Sequence, residues 1–257
     1  MSIVDKLMRI HTISVLLFLY FPIAIVVLSS FNEYGGFPSF KFTTKWYESL
    51  LQNSTVWKAF NNSLSVAILC ALVSVILGFL SAYGLLRADT AFKSSIESIF
   101  YIPIIIPEIT EALSLLLFYN FLSFPLGFFS VLIGHIAFSI SFVFVVSKAR
   151  LAGFDKSLEE ASMTLGANQL QTFIKITLPL SAPGIAASTL LAFTLSWDDF
   201  IKTVFTTGPG FQTIPLVIWS QSARGGVSPE LNALTSLMLI ISITLSYLYV
   251  RMMRKQH

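Results

Sequence analysis

Six apolar runs, each about as long as a bilayer's hydrocarbon core is thick, constrain this chain more than any other feature. They cover about residues 13–31, 63–86, 99–121, 128–147, 184–204 and 231–249. A helix needs about 20 apolar residues to cross a core of about 30 Å. Lipid offers the backbone no hydrogen-bond partners, so such runs must be helices that satisfy their own amides. The expectation is an all-α integral membrane protein with six transmembrane helices, a single transmembrane domain over 1–257. Composition agrees: 11% of residues are charged, against roughly 25% in soluble domains. An ordinary soluble globule is excluded.

The first run follows Lys6 and Arg9 in the manner of a signal peptide. It is longer than the 7–15 residues of a signal core and no small-residue cleavage site follows it, so it is read as an uncleaved first span. With six spans both termini share a face. That face receives Lys6, Arg9, Arg87, Lys93, Lys148, Arg150, Lys156, Lys175, Arg251, Arg254 and Lys255, and the other receives Lys41, Lys45, Lys58, Lys202 and Arg224. Basic residues accumulate in cytoplasmic loops, which places both termini and the polar segment at about 151–179 in the cytoplasm. The net charge of +3 matters through this distribution and is no signal for nucleic acid.

Little in the chain suggests chemistry of its own. No phosphate loop of the G-x-x-x-x-G-K-[ST] form occurs, so any ATP-driven role requires a partner. Cys70 is the single cysteine and excludes a disulfide within the chain. His11, His135 and His257 lack metal-ligand spacing; His135, inside the fourth run, reads as a packed or hydrogen-bonded core residue in preference to a proton relay. No nucleophile–base pair or ligand set is visible, so no catalytic residue and no metal site is expected.

Four acids are out of place: Glu108, Glu111, Asp198 and Asp199 fall within or at the edges of apolar runs. A charge at the bilayer centre costs about 2.5–3.5 kcal/mol on insertion scales, so these groups must face protein or a water path. Glu108 and Glu111 share a helix face at three-residue spacing. Pro103 and Pro107 remove backbone donors beside them and open the helix. Counted from a cytoplasmic start near Ile99, Glu108 lies ~14 Å in; counted from Gly184, Asp198 and Asp199 lie ~21 Å in. Adjacent aspartates repel in a low dielectric, and a multivalent cation relieves that. Trp197 beside them offers a cation–π face to an amine. The arrangement suits an organic polycation. The competing readings are that Asp198 and Asp199 are interfacial charges, that Glu111 pairs with a neighbouring subunit, and that Trp46, Trp57 and Trp219 are interfacial anchors, Trp46 alternatively facing an incoming amine.

The polar segment has its own pattern. Leu151, Phe154, Leu158, Ala161 and Leu165 form one apolar stripe at helical spacing. Gly166 breaks it and Pro179 closes the segment. A short amphipathic helix, a bend, a second short helix and a return to the membrane are expected. Glu160-Ala161-Ser162, then Gly166, Ile176 and Leu178-Pro179, resemble the EAA loop of binding-protein-dependent ABC importer permeases, with Ser162 where that family usually has alanine. The resemblance implies the type I importer permease fold, with a coupling helix carrying Glu160, Ala161, Ser162 and Gly166 that docks on a cytoplasmic ATPase.

Thr43-Thr44-Lys45-Trp46-Tyr47, Ala192 to Phe200, Thr207-Gly208-Pro209, Ile214-Pro215-Leu216 and Val227 to Ala233 further resemble the PotC-type permeases of spermidine/putrescine importers. Trp197 stands where that branch often has methionine or leucine. This resemblance implies a multi-pass subunit of the bacterial inner membrane and a polyamine path carrying Glu108, Asp198, Asp199, Trp197 and Trp46. It also implies a second, PotB-like permease, two PotA-like ATPases that hold ATP and Mg, a PotD-like binding protein outside the membrane, and no cofactor in this chain. A permease for another cationic solute and a proton-coupled secondary transporter are the rival expectations.

Overall fold

The computed structural model describes residues 3–36, 38–225 and 228–254. Val227 and Lys255 lie outside them, as do the side chains of Arg224 and Arg254. The described residues form α1 (Ile3–Ser30), α2 (Lys45–Gln52), α3 (Ser54–Arg87), α4 (Lys93–Ile105), α5 (Glu108–Phe121), α6 (Phe128–Ala152), α7 (Ser157–Thr164), α8 (Gln169–Thr172), α9 (Leu178–Trp197), α10 (Ile201–Thr206), α11 (Ile214–Gly225) and α12 (Pro229–Arg254). A π-helical turn, Phe173–Thr177, joins α8 to α9. The described residues include no strand, only the isolated antiparallel bridge Asn32–Phe42.

Five stretches are long and apolar enough to cross a membrane: Val4–Ser30, Ser54–Arg87, Phe128–Ala152, Gln169–Trp197 and Pro229–Arg251. The third apolar run differs from expectation. It consists of α4 and α5, which meet at 106°. The cause is Pro107. It forces Ile106 into extended backbone (φ −69°, ψ 137°) and carries ψ 131° itself, as expected for a residue before proline and a residue without an amide proton. Pro103, expected to open the helix too, lies inside an unbroken α4. A depth for Glu108 counted along one straight helix therefore does not apply.

The fifth run is corrected at both ends. Its helix continues upstream through the π turn to Gln169 and stops at Trp197, before the short helix α10. Pro179 does not close the preceding segment; it sits in the first turn of α9, where a missing amide proton is tolerated. The second short helix of the polar segment is thus the leading end of the span. The loops at 32–60 and 205–229 contain α2 and α11.

By its internal contacts the chain divides into two compact units. The first comprises Met1–Lys58 and Val217–Ile241, the second Ala59–Leu216 and Ser242–His257. In the first, Asn32 organises the turn after α1. Its side-chain amide donates to the carbonyls of Gly36 and Ser39, both at 2.7 Å, and its Oδ1 accepts from the amides of Tyr34 and Lys41. Glu230 accepts from Asn53 Nδ2 at 3.1 Å, and Gly35 packs so closely on Pro229 that a Cβ would lie 2.4 Å from it.

In the second unit α6 is the central strut. It packs along α9 and α4 and also contacts α10 and α5. Its buried residues mix small and hydroxylic side chains, Ser130, Gly134, Ser139, Ser141 and Ser147, with larger ones such as Leu132, Val143, Phe144 and Leu151. Small residues let membrane helices approach closely, because lipid provides no hydrophobic drive for their association. Phe79, Ala82, Leu85, Phe144 and Leu151 form a core cluster between α3 and α6. Phe100 stacks on Phe144 with centroids 4.2 Å apart.

Candidate functional site

The break between α9 and α10 places the aspartates. Asp198 caps the end of α9, α10 begins at Ile201, and the intervening turn sends the two side chains apart. Asp198 is exposed and accepts from Ser242 Oγ at 2.7 Å. Asp199 is buried. Its Oδ1 receives the Thr203 amide at 3.0 Å and the Thr203 hydroxyl at 3.2 Å, and lies 3.3 Å from His135 Nε2. Its Oδ2 lies 2.8 Å from Lys202 Nζ. The mutual repulsion expected of the pair is avoided by geometry, and Asp199 already has a cation.

The charge count treats that cation, Lys202, only as a marker of the outer face, with no partner assigned to it. Lys202 is 1% exposed and bonds both Asp199 and Glu108, joining α10 to α5. Its ammonium also sits 3.8 Å from the centre of the Phe138 ring on α6. The signal for it was available: Lys202 lies inside the fifth apolar run, three residues after Asp199, the spacing at which helical side chains meet. Glu108 is 41% exposed on its side chain, so one limb of this three-charge network opens outward. Glu111, a turn further along α5, buries one carboxylate oxygen that has no hydrogen-bond partner among the described residues.

His135 is packed and bonded as expected, with Nδ1 2.8 Å from Ser196 Oγ and Nε2 3.0 Å from Thr203 Oγ1. Trp197 is 1% exposed, stacked on Phe193 at 5.9 Å and edge-on to Phe60 at 5.8 Å. Its ring faces are covered by aromatic neighbours. Trp46 belongs to the first unit. Its indole donates to the Asn32 carbonyl at 3.0 Å, and Lys45 Nζ lies 4.5 Å from its ring centre. Among the described residues no group of three or more His, Cys, Asp or Glu is arranged to hold a metal ion.

The polar segment is built around Glu159, a residue the motif does not single out. Its carboxylate accepts from Arg87 at the end of α3 and from the Thr177 hydroxyl in the π turn. Arg87 also lies 3.7 Å from the centre of the Tyr83 ring. Glu160 and Ala161 are exposed beside it. Ser162 meets the Thr172 hydroxyl at 3.2 Å, which gives the serine at this position a partner that alanine lacks. Of the apolar stripe Leu151 is buried and Phe154 half-buried, whereas Leu158, Ala161 and Leu165 are exposed, and Met163 and Leu170 beside them are exposed as well. A short helix bound through its acidic side therefore presents its apolar side outward. A cavity of about 500 Å³ opens beside it, lined by Arg87, Leu151, Phe154, Glu159, Glu160 and Met163, among others.

Gly166 forms the bend. It has φ +94° with nothing near its missing Cβ, so backbone conformation, not space, requires glycine. Its amide bonds the Met163 carbonyl at 3.0 Å, and the Ala167 amide bonds that of Ser162 at 3.1 Å, closing α7 as left-handed C-caps do. Asn168 then caps α8, accepting from the Gln171 amide at 2.8 Å. Gly166→Val is expected to cost about 1–2 kcal/mol locally for the left-handed backbone. Thermal unfolding of the Gly166→Val protein is expected at a lower temperature than that of the parent; an unchanged unfolding temperature contradicts the need for glycine at the bend.

Membrane-length helices that pack on small residues, enclose an ion-pair network and carry an exposed helix–bend–helix between two spans define a multi-span transport subunit. The chain belongs to the family described as binding-protein-dependent transport system inner membrane component, whose sequence model matches residues 74–256. It is accordingly a multi-pass inner-membrane permease subunit of an ABC importer, non-catalytic, with the ATPase on a separate partner. It is 39% identical over 229 residues to the spermidine/putrescine transport system permease protein PotC of Escherichia coli (strain K12), covering 89% of this chain and 86% of that one. It is 36% identical to the PotC protein of Haemophilus influenzae, covering 93% of each, and to the putrescine transport system permease protein PotI of E. coli, covering 86% of this chain and 82% of that one. Among solved structures, a bacterial ABC transporter that imports the acidic polysaccharide alginate superposes with a TM-score of 0.77 at 19% identity, covering 96% of this chain and 95% of its own. That likeness concerns the fold.

Proposed function

We propose that this chain forms half of the translocation path of an ATP-driven polyamine importer, taking spermidine, putrescine or both. The observation that carries the reading is the set of intramembrane carboxylates, Glu108 and Asp198 with exposed limbs and Glu111 with an unpartnered oxygen. Carboxylates in an apolar chain are costly and suit a cationic cargo. The printed names of the PotC and PotI relatives support it. Asp199 supports the site from behind through Lys202, and Trp46 and Trp197 border the path in conformations of the cycle in which their rings are uncovered.

The partners in this reading are a second, PotB-like permease, two PotA-like ATPases that bind ATP and Mg, and a PotD-like binding protein on the outer face. Both termini and the α7–α8 segment face the cytoplasm. Glu160, Ala161, Ser162 and Gly166 shape the coupling helix, and the exposed Leu158, Met163, Leu165 and Leu170 enter the ATPase cleft. ATP binding closes the ATPases, draws the coupling helices together and opens the path outward; hydrolysis resets it.

The test is uptake of labelled spermidine and putrescine by the assembled complex in vesicles with its binding protein. Saturable uptake that stops without ATP is expected, and persists when the proton gradient is dissipated. Asp198→Asn is expected to lower uptake at low substrate about tenfold, the worth of one lost charge interaction of ~1.4 kcal/mol. Unchanged uptake by that variant removes Asp198 from the path. ATPase activity without uptake of either amine turns the reading to another cationic solute.

A further inference from the structure

The coordination of Lys202 is that of a bound organic amine. Its ammonium touches two carboxylates, Glu108 and Asp199, and lies over an aromatic face, Phe138 at 3.8 Å. Carboxylates and π faces are the groups by which proteins hold alkylammonium ions. The two carboxylates differ. Asp199 is 2% exposed on its side chain and fully engaged by Thr203, His135 and Lys202. Glu108 is 41% exposed and bonds Lys202 through one carboxylate oxygen. The inner end of the site is therefore locked and the outer end open, with an ammonium on a flexible four-carbon stem between them.

We propose that Lys202 is a tethered stand-in for the cargo, which occupies the inner amine position and holds one oxygen of Glu108, so that an incoming polyamine competes with it for that carboxylate. This rests on the amine reading above. The stand-in has two consequences. Between passages it neutralises a carboxylate pair that would otherwise trap the cargo. During passage the ammonium returns to Glu108 as the cargo leaves, so that release is helped by exchange of one cation for another. Lys202 acts through Glu108 and is a positioning residue that sets affinity against turnover.

The experiment is a KM and maximal-rate split for spermidine uptake by the complete complex in vesicles, with Lys202→Met and with the charge-balanced double variant Lys202→Met/Asp199→Asn. Both free Glu108; the second leaves no unpaired buried charge if the first does not assemble. In whichever assembles, the apparent KM is expected to fall about two- to fivefold, the range for a partly exposed charge contact, with a lower maximal rate. Adding Glu108→Gln is expected to abolish the KM gain. A KM that is unchanged or raised in the assembled variants overturns the proposal, as does failure of both variants to assemble, which makes Lys202 only a pin between α5 and α10. If the parent complex takes up neither spermidine nor putrescine, the amine reading falls first and this proposal with it. Parent uptake with unaltered variant KM removes only the role of Lys202.

Discussion

Asp199→Ala is expected to prevent the complex from assembling, or to leave it too unstable to purify, whatever the cargo. The substitution leaves the Lys202 ammonium, 1% exposed, with one partner that is itself 41% exposed, and removes the side-chain acceptor of the Thr203 amide. Breaking a buried ion pair by deleting one partner costs about 3–5 kcal/mol, because the remaining charge stays desolvated. That is comparable to a large part of a typical domain's stability, about 5–15 kcal/mol. Asp198→Ala removes one exposed hydrogen bond to Ser242, and assembly is expected to be intact. The check is the yield of co-purified complex and its thermal unfolding in detergent for both variants. Equal yields would show that the adjacent aspartates are interchangeable, contrary to their geometry.

Gly208→Ala is expected to be equally damaging for a different reason. A Cβ at Gly208 would lie 2.0 Å from the Leu126 carbonyl oxygen and 2.5 Å from its carbon. These are backbone atoms and cannot swing aside as a side-chain end would. Relief requires the connection after α10 to move off the turn before α6, where Ser130 Oγ donates to the Thr206 carbonyl at 2.6 Å and Tyr119 donates to the Ser130 carbonyl at 2.9 Å. Overpacking costs typically about 1–3 kcal/mol in side-chain cores, and a backbone collision belongs at or beyond the upper end. Gly84→Ala in α3 is the control, since nothing lies within 4 Å of its missing Cβ and alanine favours helix by about 1 kcal/mol. Thermal unfolding of the two variants side by side is expected to show a large loss for the first and none for the second.

Span number and helical class were legible because apolar length is a one-dimensional property of the chain. The bend in the polar segment was legible because Gly166 breaks the helical spacing, and its φ of +94° is what a bend of this kind requires. What escaped is long-range. Lys202 counts only as one more basic residue near the end of an apolar run until Glu108, distant in sequence, is placed against it. Glu159 looks like a solvated neighbour of Glu160 until Arg87 and Thr177 reach it from two other helices. The periodicity marked Leu158 and Leu165 as apolar positions of one stripe, but not that they turn outward. The break at Ile106-Pro107 was signalled by the proline, but Pro103 carried the same signal and does not break α4.

The 106° bend has a consequence for how the chain enters the bilayer during synthesis. At 1.5 Å per residue, α4 and α5 are each ~20 Å long, short of the about 30 Å that a lone helix must bridge. Neither half is a self-sufficient insertion unit, and α5 begins with two carboxylates. Its neutralising lysine leaves the ribosome only after α6, α7, α8 and α9 have been made. The ion pair between Glu108 and Lys202 can therefore form only once α10 has been made. Folding of this part of the protein is thereby tied to synthesis of nearly the whole chain.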